Sequence, residues 1–379
     1  MNRPCFLGAG IATHLGTGIA ENLAGLHGPP PPPRYLERRC DGRDLRIPYK
    51  PLRGFSAARA EQRLLRVIET VVDEALSEAG LRASEQRRMA LCVGSSSFDI
   101  GVSESLYRED LAEGGEVLPL RSSSFGNLAE TVRSRFGLQG EDYTFNTACT
   151  ASANGLGYAA RLIHTGSADH ALVLGVELVN DLTALGFHGL GLLSRSEMKP
   201  FDSERDGLVL GEACSVLVLG RGDADRFRWR GDANMCDTTS MVAARADGST
   251  VSDVIERALS DARLTPSAIA AVKAHGTATP LNDEAEAAGL LRTFGTVPPV
   301  CVLKPFIGHS LGACGLTELI LFYRAIESGF LIATPEIGAD PGALGVVLNQ
   351  TERAMTRGHF VLNSFGFGGN NTSVVISRN

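Results

Sequence analysis

The sequence predicts an α/β fold made of two similar halves, and three observations carry that expectation. Short β-branched runs alternate with helices rich in small residues, a pattern that puts strands beside buried helices. A segment YTFNTACTASANGLGYAARLIHTG from Tyr143 is echoed by VCVLKPFIGHSLGACGLTELILFYRAIESG from Val300, each reading strand, sharp corner, helix and terminal Gly. The 43 glycines gather at strand-to-helix corners rather than in linkers.

Taken in order, Met1 to Ala20 lacks the long apolar core and small-residue cleavage site of a secretory leader, so a cytoplasmic protein is expected. Pro29 to Pro33 reads as a short extended loop. Leu64, Leu65, Ile68, Val71, Val72 and Leu76 recur at helical spacing between about Ser56 and Gly80, with Gly80 as the stop. Met89 to Gly94 reads as a buried strand. The helices after Cys149 and after His309 are apolar on all sides, as expected of helices inside the protein. A division between residues 1–225 and 226–379 follows, with the site between the halves.

Composition limits the function. The 379 residues carry a formal charge of -7, which argues against nonspecific nucleic-acid binding. No apolar run approaches the roughly 20 residues of a membrane span. Eight cysteines are scattered without a C-x-x-C pair, as in a protein of reduced thiols rather than a disulfide or zinc scaffold.

Cys149 stands at the corner before the first small-residue helix, where the helix dipole and backbone N–H groups favour a thiolate. His275, in K-A-H-G-T-A-T-P, and His309, in K-P-F-I-G-H-S-L-G, stand at Gly-marked corners of the second half. One Cys with two His suits nucleophilic chemistry on a thioester, whereas a metal site lacks further ligands at usable spacing. Asn363 to Thr372 (NSFGFGGNNT) is followed by a β-branched run rather than a helix, which disfavours a dinucleotide loop.

These motifs, with the run KPFDSERDGLVLGE from Lys199, occur in the order found in the β-ketoacyl-acyl-carrier-protein synthases. The chain resembles the type I/II branch of that family, within the thiolase-like superfamily, most strongly from Thr144 onward. The resemblance implies a thiolase-like fold of duplicated α-β-α-β-α layered halves. It also implies decarboxylative condensation of an acyl-enzyme with malonyl-acyl carrier protein, in fatty acid or type II polyketide or aryl-polyene-like biosynthesis. Cys149 then carries the acyl group, with the N–H groups of Cys149 and Phe367 as oxyanion hole. His275 and His309 hold the malonyl thioester carbonyl, and Lys304 and Glu318 support them. Thr277 and Thr279 bind the pantetheine arm, Gly366 and Phe367 form a gate, and Phe98 is a further substrate-binding candidate, although the region near Phe98 and Phe125, which in the family shapes the acyl pocket across the dimer, diverges here. No cofactor is implied beyond the carrier's phosphopantetheine. The partners implied are the acyl carrier protein and a second ketosynthase-like subunit, identical or related.

Two features depart from the family pattern: Asn370 stands where Thr is usual, and the stretch from Gly186 to Lys199 is trimmed. The alternative is a non-catalytic, chain-length-factor-type partner, which generally lacks the active Cys. Lys50, Arg53, Arg59, Arg63 and Arg66 are the expected basic dock for an acidic carrier.

Overall fold

A computed structural model describes residues 3–40, 42–57, 59–114, 126–223, 225–240, 245–334, 338, 340 and 342–379. Phe125 lies outside them. Among the described residues, ten strands form one continuous sheet. The first five are β1 (Cys5–Ala12), β2 (Ala90–Gly94), β3 (Asp142–Phe145), β4 (His170–Glu177) and β5 (Ala213–Gly220). The second five are β6 (Arg228–Cys236), β7 (Ile269–Lys273), β8 (Val300–Cys301), β9 (Gly358–Gly366) and β10 (Asn370–Arg378).

Their lateral order is β8-β7-β9-β10-β6-β1-β5-β4-β2-β3. Numbered within its own half, each set therefore reads 3-2-4-5-1 from its outer edge. The directions repeat as well. β1 and β4 run antiparallel to β5 while β2 runs parallel to β4 and β3. Likewise β6 and β9 run antiparallel to β10 while β7 runs parallel to β9 and β8. The seam is narrow: Cys5 pairs with Arg228, flanked by Phe6 N–H to Phe227 O at 2.9 Å and Trp229 N–H to Pro4 O at 3.0 Å.

Helices cover this sheet in a matching way. Helix α1 (Ala60–Ala79) lies on β1 and β5, while α3 (Ser249–Ala262) lies on β6 and β10. Gly10 is required for the first contact, since a Cβ there would stand 2.0 Å from the Val71 carbonyl. Between the outer layers, α2 (Ala151–Thr165) and α5 (Cys314–Glu327) pack on each other. Their apolar residues join strands of both halves in one core cluster that includes Leu156, Ile163, Leu319 and Phe322. Helix α5 is buried through its first ten residues. Helix α2 is not apolar all round: Tyr158, Arg161 and Thr165 form an exposed stripe, because they share one helical face turned from the core. Both inner helices begin after a 3-10 turn whose first residue has positive φ, Ala148 at 51° and Leu311 at 44°. The strain of about 1 kcal/mol at each is the local cost of a corner sharp enough to turn the chain into a buried helix.

The expected basic dock is largely dismantled by the fold. The helix begins at Ala60, later than its periodicity suggests, with Arg59 as N-cap. Lys50 is buried and its ammonium donates to the carbonyls of Pro31, Pro305 and Phe306. Arg63 turns inward in a two-pronged ion pair with buried Glu212, at 2.6 and 2.7 Å. Only Arg53, Arg59 and Arg66 remain exposed. Glu212 also accepts the N–H groups of Leu52 and Val179, each at 2.8 Å. Replacing Glu212 with Gln strands the Arg63 charge and weakens four bonds together. Urea titration should show a loss of about 3 kcal/mol, the cost of breaking one side of a buried pair.

Candidate active site

The two strained corners deliver Cys149 and His309 to the same point. The His309 Nε2 lies 3.2 Å from the Cys149 Sγ. His309 is fixed by its own backbone, its N–H on Val209 O and its carbonyl accepting from Gly211. Behind the ring, the Leu311 N–H donates to Nδ1 at 3.3 Å. That contact sets the tautomer: Nδ1 accepts, so the proton sits on Nε2 and faces the sulfur.

His275 is placed just past the end of β7. Its N–H and that of Gly276 donate to the two oxygens of buried Glu286, on α4 (Pro280–Phe294), each at 2.8 Å. The Lys304 ammonium has three N–H groups and finds three acceptors: Glu318 Oε1 at 2.7 Å, His275 O at 2.6 Å and His275 Nδ1 at 3.2 Å. This imidazole too is therefore an acceptor at Nδ1 and a donor at Nε2. The two rings stand edge to face, 5.3 Å apart.

Burial pushes both imidazoles well below the ordinary histidine range, and the Lys304 charge adds to it. They are neutral donors at pH 7. For Cys149 the thiolate expected from the sequence does not hold at rest. Burial pushes the thiol up to about 12, against the opposing pull of Lys304 and of the backbone N–H groups of Phe367 and Cys149. Desolvation outweighs the dipole because the sulfur is enclosed.

A cavity of about 240 Å³ leads to these groups. Its inner end is Cys149, His275 and His309, and its outer wall includes Thr277, Thr279, Pro280 and Leu281. The Thr277 and Thr279 hydroxyls are 2.8 Å apart. Leu281 is 54% exposed, which marks the mouth. Phe187 and Phe367 stack across the cavity with centroids 5.6 Å apart. Phe187 lies in the trimmed segment and was not singled out in the sequence. The Gly366–Gly369 loop fits tightly: a Cβ at Gly366 would lie 3.0 Å from Cys149 N, and one at Gly369 1.8 Å from Asp237 O. Asn370 donates to the Phe367 carbonyl at 3.2 Å, so its amide takes part in the loop's own bonding. Phe98 is elsewhere, packed in the cluster of Leu64, Leu128 and Val176 and absent from the cavity wall.

Three buried charged groups were missed. Lys273 donates to Glu318, Glu286 holds the His275 corner, and Asp283 accepts the N–H groups of Phe201, Thr277 and Ala278. Lys273 stands two residues before His275, a spacing that puts both side chains on one side of a strand. Among the described residues, no group of three or more His, Cys, Asp or Glu is placed to hold a metal ion. Nor is any described helix long and apolar enough to cross a membrane.

Comparison with known proteins shows the family. Residues 52–224 match the family model for the β-ketoacyl synthase N-terminal domain, and residues 229–337 match that for its C-terminal domain. The chain belongs to the β-ketoacyl synthase family. The 3-oxoacyl-[acyl-carrier-protein] synthase 2 of Vibrio cholerae is 30% identical over 332 residues, covering 80% of each chain. A putative polyketide β-ketoacyl synthase of Streptomyces cyaneus is 29% identical over 334 residues, covering 80% of this chain and 79% of that one. The solved ishigamide ketosynthase/chain length factor superposes with a TM-score of 0.86 at 27% identity, covering 100% of this chain and 99% of that chain. The β-ketoacyl synthase fold is thus shared from the first described strand to the last.

The neutral histidines tie stability to pH. Unfolded histidines titrate near 6.5, and those of the folded site lie well below it. As pH falls past 6.5 the unfolded chain binds protons first, so the stability these groups confer is complete above 6.5 and declines below it. Urea midpoints should therefore drop on the acid side, and His275→Gln should make that drop shallower.

Proposed function

We propose that this β-ketoacyl synthase condenses an acyl group held on Cys149 with a malonyl unit presented on an acyl carrier protein, losing carbon dioxide. The observation that carries this reading is the pair of Nε2–H donors, on His275 and His309, aimed at the position a thioester carbonyl would take beside Cys149. Residues 1–225 supply the nucleophile and residues 226–379 both histidines.

In the first step the Cys149 sulfur attacks an acyl thioester. The N–H groups of Cys149 and Phe367 receive the oxyanion, and the thiol proton leaves on the departing pantetheine sulfur. The malonyl thioester then enters past Thr277 and Thr279 with its carbonyl oxygen against both imidazoles. Loss of carbon dioxide leaves an enolate whose charge those two donors stabilise. Its carbon attacks the Cys149 thioester, the β-ketoacyl group stays on the carrier, and the freed thiolate regains a proton from the cavity. Neutral imidazoles suit this role, since a protonated Nδ1 would face the Lys304 ammonium in His275 and the Leu311 N–H in His309.

The non-catalytic partner reading is disfavoured by a constellation complete from Cys149 through Lys304 to Glu318. The lining of Phe187, Leu192 and Leu208 suits an apolar acyl group, in fatty acid or polyketide biosynthesis. A second ketosynthase-like subunit belongs to the same proposal, following the ketosynthase/chain length factor neighbour.

Cys149→Ala should abolish condensation while the protein still releases carbon dioxide from malonyl thioester, because the histidines act without the sulfur. Peptide mapping after acyl transfer should place the added mass on Cys149 alone, and acyl mass on any other cysteine refutes the assignment. His275→Ala and His309→Ala should each raise the decarboxylation barrier by about 3 kcal/mol, as when one donor to a developing oxyanion is removed. Unchanged carbon dioxide release from both would remove the histidines from the mechanism.

A further inference from the structure

The proposed chemistry uses one buried ammonium, yet the site holds two. Lys273 is 1% exposed, and its Nζ donates to Glu318 Oε2 at 2.7 Å and to the Asn363 carbonyl at 2.6 Å. Lys304 takes the other carboxylate oxygen, Glu318 Oε1, at 2.7 Å. One ammonium would neutralise Glu318, and each buried charge costs several kcal/mol of hydration. Buried Glu286 balances the second in charge, yet the bonds of Lys273 go to Glu318 Oε2 and the Asn363 carbonyl, and it is that placement which calls for a purpose.

The geometry supplies one. Lys304 divides its three N–H groups between Glu318 and two atoms of His275, the carbonyl and Nδ1. With Oε2 of Glu318 unclaimed, the carboxylate would draw Lys304 into a two-oxygen contact and away from the ring. We propose that Lys273 is a positioning residue for the decarboxylation step: by occupying Glu318 Oε2 it confines Lys304 to Oε1 and keeps a Lys304 N–H on His275 Nδ1, which holds the His275 Nε2–H toward the substrate. This inference rests on the function proposed above.

Its charge acts in the same direction. The groups facing the two imidazoles are Lys304, Lys273, Glu318, Glu286 behind the His275 backbone, and Cys149. Lys273 is among the charges that hold both rings below their ordinary range. Removing it should let both rings protonate at higher pH, and a protonated Nδ1 cannot accept from Lys304.

The test uses the full chain with malonyl pantetheine thioester, following carbon dioxide release across pH and, separately, Cys149 acylation by intact mass. Lys273→Met removes charge and donors, leaving Glu318 and Lys304 as a matched pair. Lys273→Gln keeps an N–H donor without charge. The maximal rate of carbon dioxide release should fall about tenfold or more in Lys273→Met, the usual range for partners that orient a reacting group. KM and the acylation rate should stay within about twofold. In both variants the acid limb of the rate profile should move to higher pH. Wild-type release with an unmoved acid limb overturns the inference. So does an equal loss of acylation and decarboxylation, or the failure of both variants to fold, since each makes Lys273 structural. If the unaltered protein neither acylates nor decarboxylates, the proposed function itself falls, and this inference with it.

Discussion

The site depends on how the Lys304 ammonium is satisfied. It is fully buried, so every one of its donors must find an acceptor, and all three do so on Glu318 and His275. That single constraint fixes the rotation and tautomer of one imidazole and places positive charge near Cys149. His309 is fixed differently, by a backbone N–H two residues along its own corner. Two unrelated devices thus reach the same result, an imidazole whose only free proton points into the cavity. Around that pair of donors the wall is mostly apolar, with Thr277 and Thr279 as its polar edge.

The duplicated fold explains why the devices can meet. Each half turns a strand into a buried helix through a strained corner, and packing α2 on α5 brings the two corners face to face. One corner presents Cys149. The other holds Gly312 at the matching position of the echo, which lets the chain there approach Ser95 and Ser96. His309 uses the space the second corner leaves. The halves are alike in topology and unlike in their side chains, because one brings Cys149 to the cavity and the other brings both histidines.

Much of this was legible in the residues. The echo between Tyr143 and Val300 foretold the duplication, and the corner positions of Cys149, His275 and His309 foretold their meeting. Lys304 and Glu318 came from family resemblance, since nothing in a strand-and-helix pattern says which buried charges pair. Lys273 and Glu286 escaped for the same reason: a charged residue in an apolar context reads as exposed until its partner is known. The basic dock misled in the opposite sense. Arg63 has the helical spacing of Arg59 and Arg66, but Glu212, 149 residues away, draws it inward. Phe98 was assigned to the pocket by resemblance alone, and its ring serves the core of the first half. The state of Cys149 was misjudged because a dipole can be inferred from local sequence, whereas the desolvation that opposes it depends on the whole enclosure.

The narrow seam between β1 and β6 bears on how the protein is made. The chain's first strand lies in the middle of the sheet, between β5 and β6. During synthesis, Cys5–Ala12 has neither neighbour until residues 213–236 have left the ribosome. Until then an apolar strand of eight residues waits with both edges open. Such edges invite pairing with other chains. Helix α1, which packs on β1 and emerges before either neighbouring strand, can cover one face of the waiting strand. Its close seating over Gly10 then serves the nascent chain before it serves the folded enzyme.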